Sequence, residues 1–244
     1  MIKDKSEVKI KTVDLSERGK DAEGNPTLLN RRLYMQMLAF GDCQETAPLA
    51  AALQAADIQG VLYAEASDPH GVGLMTFSED PAYFIDVVRP VLNQTPFREL
   101  TPKPEFSMLG RTYSIGYEQN LEFVLTKKPA ERVTNPKWPW AVWYPLKRKG
   151  SFHALSRDEQ MNILREHGTI GRSYGESGHG LDVRLACHGL DKNDNDFITG
   201  LVGDNLTGLS KIVQRMRKTK QTSTYLESLG PFFVGKVIWQ ALLR

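Results

Sequence analysis

The stretch MNILREHGTIGRSYG, residues 161–175, contains the histidine whose position is most open to chemical use. Met161, Leu164 and His167 follow one another at spacings of three in a predicted helix, which places the imidazole on the apolar, sheet-facing stripe. Two interpretations are open. A histidine at a helix C-terminus gains from the helix dipole, and Gly168 can serve as a left-handed cap. Alternatively, His167 binds a ligand beneath that helix end.

The glycines that follow the histidine favour a ligand site. Gly168 and Gly171 leave room beside the imidazole, as a flat ligand that passes close to the backbone requires. A single inward histidine with an open opposite face is a common way to hold heme iron. We therefore predict that His167 is an iron ligand.

Both halves of the chain show the same order of elements, which must position this histidine. A strand, helix, strand, strand, helix, strand pattern covers residues 32–40, 46–58, 60–66, 71–77, 80–92 and 105–115. It recurs over residues 141–147, 156–167, 183–189, 196–203, 205–218 and 231–239. Ser156 and Glu159 form a capping-box pattern at the start of the histidine-bearing helix. The pattern predicts two tandem ferredoxin-like βαββαβ repeats.

This predicted fold is of the α+β class, and each four-stranded sheet needs a cover on its open face, which two tandem copies can give each other. We place the repeats at residues 31–125 and 140–244, joined by a proline-containing linker at 126–139. Residues 1–30 form a polar N-terminal arm, in which residues 8–15 alternate like an edge strand.

Composition restricts the class of protein. The 244 residues are 41% hydrophobic and carry a formal net charge of +2, which gives no argument for nucleic-acid binding. No apolar run reaches the roughly 20 residues of a membrane span, and the N-terminus lacks the apolar core of a signal peptide. The two cysteines, Cys43 and Cys187, form no CxxC pair. We predict a cytoplasmic protein.

Four segments carry a resemblance to a known family: WYPLKRKG, EHGTIGRSYG, HGLDKNDNDF and YLESLGPFFVG. They resemble the chlorite dismutase superfamily of heme proteins, and within it the coproheme decarboxylase branch. The resemblance extends over about residues 33–239, and its most specific segments are EHGxIGRxY and GPFFVG. It implies a dimeric α+β barrel built from two ferredoxin-like repeats, in agreement with the repeat pattern.

The resemblance also implies roles for individual residues. His167 matches the proximal iron ligand, and Tyr144 matches the tyrosine whose radical abstracts hydrogen from a propionate. Arg148 falls where that branch has a lysine near the reactive propionate. A run of cations after a strand suits the carboxylates of a tetra-acid porphyrin, although a solvated loop would carry the same residues. The porphyrin contacts expected on this basis are Arg148, Lys147, Lys149, Tyr113 and Gln221.

The sequence departs from the family pattern on both sides of the expected heme. Phe152 and His153 stand where chlorite dismutases have a tryptophan pair, and Asp182 stands where they have a distal arginine. Arg184, two residues on, points to the same strand face, and we expect one or both residues to face the distal side. There Asp182 could act as a proton-transfer base and Arg184 as an electrostatic stabiliser. A surface ion pair is the alternative. Gln221 or Lys220 replaces the family's glutamate beside the proximal histidine, which weakens the electron push toward O–O cleavage.

Three functions are compatible with these features. The first is a heme enzyme similar to coproheme decarboxylase, which binds iron coproporphyrin III and uses hydrogen peroxide to convert two propionates into vinyl groups, giving heme b. The second is a heme peroxidase or chlorite-degrading enzyme. The third is a non-enzymatic heme-binding or heme-free interaction protein. For the first, the expected ligand is a porphyrin, nucleic acid and membrane are not expected partners, and the superfamily implies a homo-oligomer, with a pentamer favoured.

Overall fold

The computed structural model describes residues 12–242. The strands are β1 (Glu17–Lys20), β2 (Pro26–Leu29), β3 (Tyr34–Gly41), β4 (Gly60–Glu65), β5 (Val72–Ser78), β6 (Thr101–Pro102), β7 (Met108–Arg111), β8 (Trp140–Arg148), β9 (Leu181–Ala186), β10 (Phe197–Gly203), β11 (Leu226–Leu229) and β12 (Phe233–Gln240). The helices are α1 (Ala47–Ala55), α2 (Arg89–Leu92), α3 (Lys128–Val133), α4 (Gly150–His153), α5 (Arg157–Glu176), α6 (Leu206–Met216) and α7 (Lys220–Tyr225). Short π-helical turns, Phe84–Val88 and Phe123–Lys127, lead into α2 and α3.

The two predicted ferredoxin-like repeats are confirmed by the strand pairing. In the first repeat the strands lie in the order β7-β3-β5-β4, and in the second in the order β12-β8-β10-β9, all antiparallel. Each order places the first and third strands of a repeat at its centre. Strand β4 also pairs with β12, and β7 meets β9 at one bridge between Arg111 and Ala186. These contacts close the eight strands into a ring.

The inside of this barrel is an apolar core formed by alternate strand residues. Met35 and Met37 of β3, Trp143 of β8 and Phe233 of β12 are fully buried there. Trp143 lies directly opposite Gly200 of β10, and a Cβ atom at that glycine would come within 2.4 Å of the indole ring. The barrel interior therefore needs a glycine at this point, and the outer faces of the sheet are left for the helices.

Helix α5 is longer than the sequence pattern predicts. The prediction that it ends at His167 is wrong, because the helix continues to Glu176 through Gly168 and Gly171. The N-terminal prediction holds, since Ser156 and Glu159 make both hydrogen bonds of a capping box. The helix stops further on, where Gly178 has a φ of +71° and the N–H of His179 donates to the Tyr174 carbonyl at 3.0 Å. Gly168 is therefore a residue of the helix interior and not its cap.

Two other segments differ from the sequence-based expectations. The stretch 126–139, predicted as a linker, contains α3 and packs against the rest of the fold through the buried Val133. Of the predicted edge strand at 8–15, residues 8–11 lie outside the described residues, and residues 12–15 are not in a strand. The following residues form the β1–β2 hairpin. Within residues 12–242, no helix combines the length and the apolar character needed to cross a membrane.

Candidate functional site

A cavity of about 940 Å³ lies between α5 and the outer face of the second repeat's sheet. Its size is within the range of about 300–1,000 Å³ that is usual for small-molecule sites. The wall from α5 is formed by Met161, Leu164, His167, Gly168, Gly171 and Gly175, and the sheet contributes Tyr144, Asp182, Arg184, Thr199 and Leu201. The predicted sheet-facing stripe of the helix is thus the wall of a cavity.

His167 is held in one tautomer by a residue that the sequence did not indicate. Its Nδ1 atom lies 3.4 Å from the Thr219 hydroxyl, which itself donates to the Met216 carbonyl at 2.8 Å. The hydroxyl oxygen can then only accept from Nδ1–H, which leaves Nε2 unprotonated and free to bind a metal. The sequence analysis expected Gln221 or Lys220 beside the histidine. The partner is instead Thr219, the N-cap residue of α7, which begins at Lys220.

The imidazole is neutral over the physiological pH range. Burial, together with the nearby Arg148 and Arg184, lowers the pKa of His167 to about 4. A neutral imidazole is the form that binds metal ions. An added Cβ at Gly168 would meet no atom of the described residues within 4 Å, and one at Gly171 would meet only the Met216 methyl group at 3.7 Å. The space beside the ligand nitrogen that the sequence predicts is therefore present.

Tyr144 shares this cavity with His167. The tyrosine is buried on β8, stacks on Phe232 with ring centroids 4.6 Å apart, and lies directly opposite Thr199 of β10. Burial raises the pKa of its phenol, so the hydroxyl stays protonated. A second, much smaller cavity of about 20 Å³ touches Tyr144, His167 and Gln221. The buried Oε1 atom of Gln221 has no hydrogen-bond partner among residues 12–242.

Asp182 and Arg184 line the cavity together, as their spacing on one strand predicts. The Asp182 carboxylate contacts Arg184 Nε at 3.0 Å and Arg132 Nη1 at 3.0 Å. Burial raises the pKa of Asp182, but the two guanidinium groups outweigh burial and hold it below the ordinary value. A carboxylate with a lowered pKa is a weak base. The expectation that Asp182 serves as a proton-transfer base is therefore not favoured by its surroundings.

The three cations at the end of β8 do not act together, contrary to the expectation from their sequence. Lys147 pairs with Asp194 at 2.6 Å, and Lys149 donates to the Thr224 carbonyl at 3.0 Å. Side chains alternate along a strand, so Lys147 lies on the opposite face from Tyr144, three residues before it. Neither lysine belongs to the cavity lining that the described residues form.

Arg148 and Tyr113 lie next to the cavity and share an aromatic neighbour. The Arg148 guanidinium lies 4.7 Å from the centre of the Phe152 ring and 4.4 Å from that of Phe197, and the Tyr113 ring lies 5.4 Å from Phe197. The Arg148 Nε atom is buried and has no hydrogen-bond partner within the described part of the chain. A buried donor of this kind favours an anionic ligand nearby. Both side chains lie outside the cavity lining formed by residues 12–242.

Further cations around the cavity were missed by the sequence analysis. Lys128 and Arg132 come from α3, and Arg165 and Arg172 come from α5. The α3 residues gave no signal, because they lie in the segment interpreted as a linker. Together with Arg184 they outnumber the carboxylates of Asp182 and Glu176 that line the same cavity. A ligand with several carboxylates is electrostatically favoured there.

These features fit a heme-type group. A porphyrin needs an open flat space, a neutral nitrogen donor for the iron and cations for its carboxylates. The space at Gly168 and Gly171, the Nε2 atom of His167 and the surplus of arginine and lysine side chains supply each of these. His167 would hold the iron, and the cations of α3 and α5 that are not paired with Asp182 would face the carboxylates, namely Lys128, Arg165 and Arg172.

Comparisons with known proteins show what the chain is similar to. A 115-residue region is 32% identical to the coproheme decarboxylase of Oceanobacillus iheyensis and covers 46% of the chain but only 44% of that relative. A structure described as a novel heme-binding protein from Thermus thermophilus has 21% identity and a TM-score of 0.64, with 86% and 92% of the two chains covered. A chlorite dismutase from Candidatus Nitrospira defluvii has 14% identity, a TM-score of 0.64 and the same coverage. The two structures establish the shared fold.

The sequence profile described as chlorite dismutase matches residues 73–238 of the 244, a region that runs from within β5 to within β12 and contains every residue of the cavity lining. The match therefore includes the histidine, the tyrosine and the charged strand residues whose geometry was described above. The chain belongs to the chlorite dismutase family.

Proposed function

We propose that this protein is a heme-dependent oxidoreductase that converts iron coproporphyrin III into heme b with hydrogen peroxide. One observation carries the proposal: His167 and Tyr144 line the same cation-rich cavity. The similarity to a coproheme decarboxylase over 115 residues supports the same assignment. In each turn a propionate and one peroxide give a vinyl group, carbon dioxide and two water molecules, with uptake of one proton.

The chain's own residues would bind and orient the substrate. The cations of Lys128, Arg165 and Arg172, which are not paired with Asp182, would hold carboxylates at the cavity wall. The glycines of α5 would let the porphyrin approach the helix backbone. His167 would fix the position of the iron, with Thr219 holding the ring. The bound iron porphyrin would supply the peroxide-driven oxidising power.

Tyr144 would abstract the hydrogen atom from the propionate. Its phenol is neutral, so oxidation removes an electron and the phenolic proton together, and the resulting radical can take a hydrogen atom from a propionate. Burial on β8 and stacking on Phe232 fix the ring in one orientation. The aromatic wall also limits access of water to the radical.

The proposal is tested by product masses. The protein is reconstituted with iron coproporphyrin III, peroxide is added, and we expect stepwise loss of two carboxyl groups from the porphyrin. Tyr144→Phe should abolish this loss while leaving porphyrin binding intact, and Tyr34→Phe on β3 of the other repeat serves as the control. Binding without turnover in the wild type would identify a carrier or sensor, and oxygen release from chlorite would identify a chlorite-degrading enzyme.

A further inference from the structure

Asp182 lies between two guanidinium groups that come from different parts of the chain. Its Oδ1 atom is 3.0 Å from Arg132 Nη1, and its Oδ2 atom is 3.0 Å from Arg184 Nε. Arg132 also donates to the backbone carbonyl of Asp182. Both carboxylate oxygens are thus engaged, and the three side chains carry a net charge of +1.

The position between the two guanidinium groups is where a small anion would bind. Guanidinium groups are the preferred partners of carboxylates and other oxyanions. These side chains are partly buried, with exposures of 20% for Arg132, 38% for Asp182 and 50% for Arg184. Partial burial strengthens the attraction between them relative to bulk water. The chain's own carboxylate therefore occupies an anion position inside the cavity.

This charged group faces the same cavity as the proposed iron ligand. Asp182 and Arg184 project from the outer face of β9, because the alternate residues Val183 and Leu185 point into the barrel core. His167 projects from α5 on the other wall. A small molecule that enters between helix and sheet therefore meets the carboxylate of Asp182 together with its two arginines.

We propose that Asp182 is a specificity-determining residue, which holds the anion position of Arg132 and Arg184 and so makes the cavity accept a neutral oxidant and reject a small anionic one. Hydrogen peroxide is neutral at physiological pH, whereas chlorite, azide and fluoride are anions. To bind at the arginines, an anion must displace a carboxylate that is covalently part of the strand and leave it without its partners. The identity of the oxidant rests on the proposed function; the anion exclusion does not.

No other charged residue of the cavity lining formed by residues 12–242 is paired with Arg132 or Arg184 in place of Asp182. Arg165 and Arg172 are exposed on α5, where water screens an ion pair. Lys128 stands on α3, one turn before Arg132. Glu176, the other carboxylate of the lining, is exposed at the last residue of α5. It provides a matched control, because its removal changes the cavity charge equally without freeing Arg132 or Arg184.

The first test needs no porphyrin. Thermal unfolding of the full chain is followed with and without sodium azide, at an ionic strength held constant with sodium gluconate. We expect azide to leave the Tm of the wild type and of Glu176→Gln unchanged and to raise the Tm of Asp182→Asn, whose arginines are free to bind it. Adding Arg184→Gln to Asp182→Asn should remove the effect. Equal stabilisation of wild type and Asp182→Asn would overturn the proposal.

The second test uses the protein loaded with heme. Azide and fluoride are titrated and binding is followed by the shift of the Soret band. Asp182→Asn should bind each anion at least about tenfold more tightly than the wild type or Glu176→Gln, because only this substitution frees Arg132 and Arg184 to attract it. Unchanged affinities contradict the proposal. If decarboxylation fails while this difference in anion affinity is found, the proposed function is wrong and the anion exclusion stands. If decarboxylation occurs and the anion affinities are equal, the proposed function stands and the anion exclusion is wrong.

Discussion

The two repeats share one topology but differ in what lies between helix and sheet. In the first repeat, Leu49 and Leu53 of α1 pack on Leu62 of β4 and Leu74 of β5 in a closed apolar cluster. In the second repeat, the corresponding space between α5 and the sheet is a cavity of about 940 Å³. A duplicated fold can therefore use one copy for stability and leave the other open for a ligand.

The difference comes from the residues on the facing surfaces. Leu62, on the outer face of β4, is fully buried under the helices of its repeat. At the matching face of β9 stand the charged Asp182 and Arg184, which cannot be covered by apolar side chains without a large desolvation cost. On the helix side, α5 presents Gly168, which has no side chain to fill the gap. Polar strand residues and glycine together keep the second repeat open.

The largest effect is expected when the proposed iron ligand of the open repeat is removed. His167→Ala should lower heme affinity by about a hundredfold or more and change the Soret band, because the iron loses its protein nitrogen. The exposed His153→Ala, on the neighbouring α4, is the control and should bind like the wild type. Heme titration followed by absorbance measures both. An unchanged Soret band in His167→Ala would show that the open repeat does not use this histidine.

The stability of the two repeats should respond unequally to the same truncation. Leu53→Ala in the closed repeat should lower the free energy of unfolding by about 2–5 kcal/mol, since the residue is completely buried. Leu164→Ala, on the wall of the open repeat, should cost less than about 1 kcal/mol, because this side chain already borders empty space. Urea unfolding compares the two variants. Equal losses would mean that the second repeat is packed as tightly as the first.

The open repeat should also make stability depend on pH. The pKa of His167 is lowered to about 4 in the folded state, so the unfolded chain takes up a proton first as the pH falls. The free energy of unfolding should therefore decrease between about pH 6.5 and pH 4 and be fully retained above that window. His167→Gln should flatten this decrease. Urea unfolding at pH 7.5 and pH 5 gives the comparison.

The smallest expected effect comes from changing a glycine of α5. Gly168→Ala should raise the free energy of unfolding by about 0.5–1 kcal/mol, because alanine is the better helix former and its Cβ meets no described atom. Gly175→Ala is the contrasting variant. Its Cβ would lie 3.3 Å from Leu181, so the free energy of unfolding should rise by less than in Gly168→Ala. Gly168→Leu would fill the space between α5 and the sheet with a leucine side chain, as leucines fill it in the first repeat. It should leave the free energy of unfolding unchanged and weaken heme binding. A destabilised Gly168→Ala would contradict an open wall.

Several features of the site were predictable from the sequence because they depend on neighbouring residues. The i, i+3 spacing of Leu164 and His167 fixes their common helix face, and the spacing of two between Asp182 and Arg184 fixes their common strand face. The capping box at Ser156 is equally local. The predicted end of α5 was wrong for a local reason as well. A glycine after a helical pattern resembles a C-terminal cap, although the helix continues through Gly168 to Glu176.

The sequence by itself determined the order of the elements in the two repeats and the faces on which His167, Tyr144 and Asp182 stand, since helix and strand periodicity are properties of short segments. The tertiary structure decided which distant groups meet these residues. Thr219 reaches His167 across 52 positions, and Arg132 reaches Asp182 across 50. No local pattern encodes such pairs, because they arise only when the sheet closes and brings α3, α5 and β9 around one cavity.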